Sequence, residues 1–453
     1  MIWFILAYIL VQFGIGTWAS KHIKNELDFL VAGRSVPNFL LIISLFATWF
    51  GAETIIGTSG EVYKNGLSGS RADPFGYSIC LLLLGFLIAR RIWKPEFLTL
   101  GDFFKTRFSP STEKLAILIL FISSVIWAAA QIRAFGQILS HYSDLPIGVT
   151  MTIGFGLVVS YSLLGGLIGD ILTDALQGLI LILGLAILSW FVIRDFDIQN
   201  WSHTLTSERL TWTLPNESWA SRIERWMIPI LGSLVAQESI TRILSAKSAR
   251  DAQKISWISA LIYLAVGSLP VLLGLLGFAI SLNFRHQEQF IVALSQKYLN
   301  PIGEAIFIGA LVSAILSTVD SILLSGGGLL SHNFLIPKLK IQKETQKLFL
   351  TRSAVVIMAS LAFAIALSGE GIYQLVELAS SWGSAGVLTI TLFGLWSKLG
   401  GSQSANLTLI TGVMCLPVLE YGVQSETPFL ITIFLCMATY LMSAYFFRYI
   451  SDK

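Results

Sequence analysis

The chain has 453 residues, 54% hydrophobic and only 13% charged, with a net charge of +3 and a mean hydropathy of +0.73. This balance excludes an ordinary soluble enzyme or a nucleic-acid-binding domain, because apolar spans of about 20 residues account for nearly all of the chain. Cys80, Cys415 and Cys436 lie in apolar runs without CxxC or Cys/His spacing, so neither a disulfide framework nor a zinc site is expected.

Apolar runs bounded by polar, Pro or Gly residues give about thirteen bilayer-length spans. They are approximately 2–20, 38–58, 74–93, 115–140, 146–164, 170–194, 226–244, 253–282, 302–330, 352–369, 373–397, 403–421 and 428–448. The first run has no basic segment before it and no small-residue cleavage site, so it is expected to be a retained helix rather than a signal peptide. Alternate loops collect the basic residues: Lys21, Lys24 and Arg34; Arg90, Arg91, Lys94, Lys105, Arg107 and Lys114; Arg242, Lys247, Arg250 and Lys254; then Lys338, Lys340, Lys343, Lys347 and Arg352. These predict the cytoplasmic side, with the N-terminus outside and the C-terminus inside a cell membrane.

Two spans read as interrupted. The second carries Thr48-Trp-Phe-Gly-Ala-Glu-Thr54, and the seventh carries Pro229, Gly232 and Ser233 followed by Gln237, Glu238 and Thr241. They are an odd number of spans apart, so five-helix units starting at each would have opposite orientations, as in an inverted-repeat transporter with broken first helices at the midplane. The predicted organisation is an N-terminal extra helix and first loop (1–37), a first repeat (38–194), an extracellular loop (195–225), a second, inverted repeat (226–398) and two C-terminal extra helices (399–453).

Within the first interrupted span, unwinding near Phe50 and Gly51 would take helical donors from the carbonyls of Ala47 and Phe50, which a cation can then use. Glu53 is expected either to contact substrate, to neutralise a basic neighbour or to snorkel outward. Arg133, well inside the fourth span, is expected to pair with Glu53 or Glu238 or to hold a substrate carboxylate. Asp170 reads as a helix N-terminal cap; Asp174, a turn deeper beside Thr173 and Gln177, reads equally as a cap or as a functional group.

Residues 309–330 are apolar enough to span a bilayer, yet Ser313, Ser317, Ser321 and Ser325 recur every four positions and Asp320 lies three after Ser317. On a helix they form one small, polar stripe. Small residues permit tight packing, but packing does not require a carboxylate, and an intramembrane carboxylate costs roughly 3 kcal/mol or more at the bilayer centre. Gly326 to Gly328 precede no phosphate-loop lysine and read as close helix contact or a helix end.

These features resemble the sodium:solute symporter family. The resemblance is carried by Phe29-Leu-Val-Ala-Gly-Arg34, Gly165-Gly166 with Thr173-Asp174 and Gln177, Thr241-Arg242-Ile-Leu-Ser-Ala-Lys247, and Ser317-Thr318-Val-Asp320-Ser321. It implies a leucine-transporter fold and a main sodium site formed by the carbonyls of Ala47, Phe50 and Ala314 with the hydroxyls of Ser317 and Thr318. It also implies a second cation or proton site at Asp174, Ser317, Asp320 and Ser321. Ala47-Thr-Trp-Phe-Gly, Gly76-Tyr77-Ser78 and Trp127-Ala-Ala-Ala130 are most similar to the high-affinity choline transporter branch. There Trp49, Tyr77 and Trp127 match positions that cage an ammonium, whereas Ala236 lacks the fourth aromatic and Glu53, Arg133 and Glu238 depart from the branch.

The expected protein is therefore an all-α sodium-coupled symporter for a small polar organic solute, ammonium-bearing or zwitterionic. Substrate contacts are expected from Trp49, Glu53, Thr54, Tyr77, Trp127, Arg133, Gln237 and Glu238. The rival readings are proton coupling through Asp320 or Asp174, and a non-transporting sensor that keeps the fold. No catalytic constellation is present, so no enzyme activity is expected.

Overall fold

The computed structural model describes residues 2–143, 145–195, 205–280, 282, 284, 286–368 and 371–451. The helices that position the site are α1 (Ile2–Ser20), α2 (Glu26–Val31), α3 (Asn38–Trp49), α4 (Thr58–Asn65), α5 (Tyr77–Leu83), α6 (Leu100–Arg107), α7 (Pro110–Ser143) and α8 (Ile147–Asp195). They are followed by α9 (Trp219–Met227), α10 (Gln237–Leu244), α11 (Ala249–Gly277), α12 (Pro301–Leu330), α13 (Glu344–Ala366), α14 (Ile372–Ser381), α15 (Ser384–Trp396), α16 (Ser402–Pro417) and α17 (Pro428–Ser451). Helices satisfy their backbone groups internally, which a bilayer demands of any segment that crosses it.

Among the described residues, eight helices are long and apolar enough to cross a membrane, or up to ten if each bent pair is one span. This is fewer than the thirteen expected, and two of the expected spans are not single helices. The 38–58 span stops at Trp49: Phe50 has ψ 69°, and the chain resumes as a π turn over Glu53–Gly57. The 226–244 span is divided into α9, a π turn at Ile228–Gly232 and the short α10. The 146–164 and 170–194 spans run together as α8, which leaves helical geometry only at Gly166, whose φ of +49° suits a residue without a Cβ.

The centre of the bundle is α12. Its most apolar window is 94% buried, against 33% for that of α13. Small residues make this possible, since Gly, Ala and Ser let backbones approach closely. A Cβ on Gly184 of α8 would collide with Ala310, and one on Gly327 would collide with the Val355 side chain and backbone, so Gly326 to Gly328 are close helix contacts.

The basic loops gather at one end of the bundle. Arg34 donates to the carbonyls of Leu244, Lys94, Pro95 and Phe97, joining three of those loops. His332 lies between Glu26 at 2.8 Å and Asp102 at 3.1 Å, and Arg107 donates to the carbonyls of Ser397, Leu399 and Gly400. At the opposite end, Arg71 is bonded to Glu217 at 2.7 Å, and Glu224 accepts the N–H groups of Phe429 and Leu430 at 2.6 and 2.9 Å.

Candidate functional site

The two interrupted segments meet. The indole N–H of Trp49, the last residue of α3, donates to Ser239 Oγ in the first turn of α10 at 2.5 Å. The Trp49 ring stands edge-on to Tyr77 (centroids 5.5 Å) and to Trp127 (6.2 Å). A cavity of about 590 Å³, its open mouth included, is lined by these rings, by Glu53, Gln237 and Glu238, and by Ala236. Most of the expected substrate contacts thus converge, although they come from four separate parts of the chain.

Two expected contacts do not belong to this cavity. Arg133 does not answer Glu53 or Glu238: its Nη1 donates to Ala366 O at 3.2 Å, and it lines a different cavity with Gln137, His286 and Glu288. On α7 it projects away from Trp127 and Gln131, the residues that bind Glu53. Thr54 is turned aside too. Its hydroxyl donates to Asp73 at 2.6 Å and lies 2.9 Å from the Tyr263 hydroxyl.

Glu53 is only 3% exposed, so it does not snorkel. Its carboxylate accepts from Trp127 Nε1 at 3.0 Å and Gln131 Nε2 at 2.7 Å. Gln131 also takes the Ala52 N–H at 3.1 Å, fixing the restart of the broken helix. Glu238 is 2% exposed. It takes a long contact from Ser124 Oγ at 3.4 Å, and its Oε2 has no hydrogen-bond partner among the described residues. The amide of Gln237 is engaged elsewhere, with the Leu100 N–H (3.3 Å) and Thr241 Oγ1 (3.2 Å).

The polar stripe of α12 faces α3 and α8. Asp174 accepts from Ser44 Oγ at 2.5 Å and from Ser317 Oγ, so it bridges the two helices expected to share the main sodium site. Thr48 and Ser321 hydroxyls meet at 3.1 Å. Thr318 Oγ1 donates to Ala314 O at 3.0 Å, which leaves hydroxyl lone pairs free for a cation. The Ala47 carbonyl has not lost its helical donors entirely, since the Phe50 N–H lies 3.3 Å from it.

The deeper cluster already contains a cation supplied by the protein. Arg242, read from sequence as a loop residue, is fully buried on α10. Its Nη2 is bonded to Asp170 and Ser321 and lies 3.3 Å from Asp174, while Nε donates to Ser44 at 3.2 Å. Asp170 is therefore an ion-pair partner in the bundle interior, not a solvent-side cap. Asp320 lies beside Asp170 and Ser162, and its Oδ1 has no hydrogen-bond partner among the described residues.

Sequence reasoning missed Arg242, Asp73, Tyr263 and Gln131. Arg242 follows Glu238 by four positions and so shares its helical face, a signal hidden by counting it with the loop charges. Asp73 stands next to Pro74 at a span boundary and gave no signal of its own.

The profile of the Sodium:solute symporter family matches residues 29–412. The high-affinity choline transporter 1 of Drosophila melanogaster is 27% identical over 83% of the chain, which spans 63% of that protein. The human high affinity choline transporter 1 is 25% identical over 83% of the chain and 69% of its own length. A solved structure of a Na+-coupled sialic acid symporter, in a substrate-bound outward-open state, superposes with a TM-score of 0.85 at 16% identity, covering 97% of this chain and 96% of that one. At that identity the superposition establishes the fold. With the profile covering more than half of the chain, this multi-pass membrane protein belongs to the sodium:solute symporter family, a family of transporters and not of enzymes.

Proposed function

We propose that the chain is a sodium-coupled symporter that carries a small organic cation across the plasma membrane by alternating access. The observation that carries this reading is the composition of the cavity at the broken helices. Three aromatic rings and two buried carboxylates line it, and no lysine, arginine or histidine does so among the described residues. Aromatic faces attract a desolvated ammonium, and Arg133, the expected partner for a substrate carboxylate, lines a different cavity. A cation is favoured over a zwitterion.

In this reading thirteen spans form two inverted five-helix repeats, 38–194 and 226–398, with the N-terminus outside. Sodium binds the carbonyls of Ala47, Phe50 and Ala314 and the hydroxyls of Ser317 and Thr318. It would hold α3 to α12 and favour the outward-open state, and its loss to the cytoplasm would release them. Uptake of a radiolabelled monoamine or choline into proteoliposomes tests the reading. Ser317→Ala with Thr318→Ala should abolish sodium stimulation, and undiminished sodium dependence would overturn the site.

Proton participation is the second reading, supported by the deeper cluster. One guanidinium faces Asp170, Asp174 and Asp320, and uncompensated charge is costly away from water. A proton or a second sodium would offset part of it. Accumulation in sodium-free buffer driven by a pH gradient is expected only if the proton alone couples.

A further inference from the structure

We propose that the cavity is a two-point site for a linear diammonium, with Glu53 taking one ammonium group and Glu238 the other across the face of Trp127. This rests on the organic-cation reading above and narrows its substrate class.

The two carboxylates are held at different heights on the same helix. Glu238 contacts Ser124, whereas Glu53 contacts Trp127 and Gln131. With a helical rise of 1.5 Å per residue, Ser124 and the midpoint of the other two differ by about 7.5 Å along α7. That offset suits the spacing of two amines on a short methylene chain. Trp127 lies between the two heights, and Trp49 and Tyr77 close the apolar flank that would face the methylenes.

The hydrogen bonding points the same way. The Glu53 carboxylate is positioned by neutral donors, which orient it but leave its charge uncompensated. Glu238 Oε2 lacks any partner among the described residues while lining the cavity. A monoamine could satisfy one of these carboxylates and would leave the other buried without a countercharge, a costly arrangement. Ala236 lines the same cavity and brings no ring to it.

The test is calorimetric titration of the purified full chain in sodium buffer with 1,4-diaminobutane, 1-aminobutane and choline. The diamine is expected to bind at least about tenfold more tightly than 1-aminobutane, the low end of what one added charge-assisted hydrogen bond contributes. Glu238→Gln should reduce that ratio to about threefold or less, and Glu53→Gln gives the same comparison from the other end if the first variant does not fold. A diamine no tighter than 1-aminobutane, with either monocation still bound, would overturn the two-point site and leave the organic-cation reading intact. If none of the three binds, both readings fail.

Discussion

Arg242 Nη2 lies 3.3 Å from Asp174 Oδ2, and both side chains are fully enclosed although 68 residues of chain separate them. The same guanidinium reaches Asp170, Ser321 and Ser44, so one side chain on α10 is bound to α8, α12 and α3. Removing one partner from a buried ion pair leaves an uncompensated charge, at a cost of about 3–5 kcal/mol. Arg242→Met is expected to lower the thermal unfolding midpoint markedly in detergent. Adding Asp170→Asn should recover part of the loss, since the coupled pair is then neutralised together. Strictly additive losses in the two substitutions would count against the pair.

Tyr263 and Thr54 should behave as structural residues. The Tyr263 hydroxyl lies 3.0 Å from both oxygens of Asp73 and 3.2 Å from Trp49 O, next to the break in the helix. Tyr263→Phe removes those bonds and is expected to destabilise the protein by about 1–3 kcal/mol. Thr54→Val should lower the unfolding midpoint in the same way, and the double variant should lose less than the sum. If Thr54→Val leaves the midpoint unchanged and weakens solute binding, Thr54 belongs to the substrate site after all.

Trp127 combines a ring face with the N–H that holds Glu53. Trp127→Phe keeps a ring and loses the donor, and Trp127→Ala loses both. Choline binding, measured by displacement of a radiolabelled cation, is expected to weaken by about threefold in the first and tenfold or more in the second, in line with a cation–π contribution in a desolvated site. Equal effects would assign the whole role to the hydrogen bond.

The end of the bundle opposite the basic loops should carry a pH-dependent contact. Burial would raise the Glu217 carboxyl, but hydrogen bonds from Arg71 and the Leu214 N–H, with the charges of Arg71 and Arg225, hold it below the ordinary glutamate range. Its contribution to stability is therefore fully present above the unfolded value of about 4.3 and is lost as pH falls through the lower folded value. The difference in unfolding midpoint between the wild type and Glu217→Gln should be constant at neutral pH and close under acid. A gap that widens as pH falls would contradict this.

Much of the site was legible because a bilayer makes polar residues conspicuous. Ser317, Asp320 and Asp174 stand out against their apolar spans, and both interruptions lie where the helices break. What could not be read was direction. Arg133 and Gln131 are two positions apart on one helix, and nothing local says that the glutamine meets Glu53 while the arginine meets Ala366. The break after Trp49 is likewise more than a property of Gly51 and Glu53, since Tyr263, more than two hundred residues away, donates to Trp49 O. Arg242 was misassigned for the same reason: a positive charge near a span end looks solvated until its partners on other helices are known.

The fastening of the last two helices bears on how movement in this molecule can be followed. At one end, Glu224 in the lead-in to the second interrupted segment holds the backbone of Phe429 and Leu430. At the other, Arg107 of α6 grips residues 397 to 400, and Tyr440 of α17 bonds to Leu399 O at 2.8 Å. The pair is thus moored to different parts of the transporter at its two ends, like a needle pivoted between two plates. A spectroscopic label on the outward-facing Met442, which is 72% exposed, would read a relative rotation of those parts as a tilt of α17 without touching the path of solute or ion.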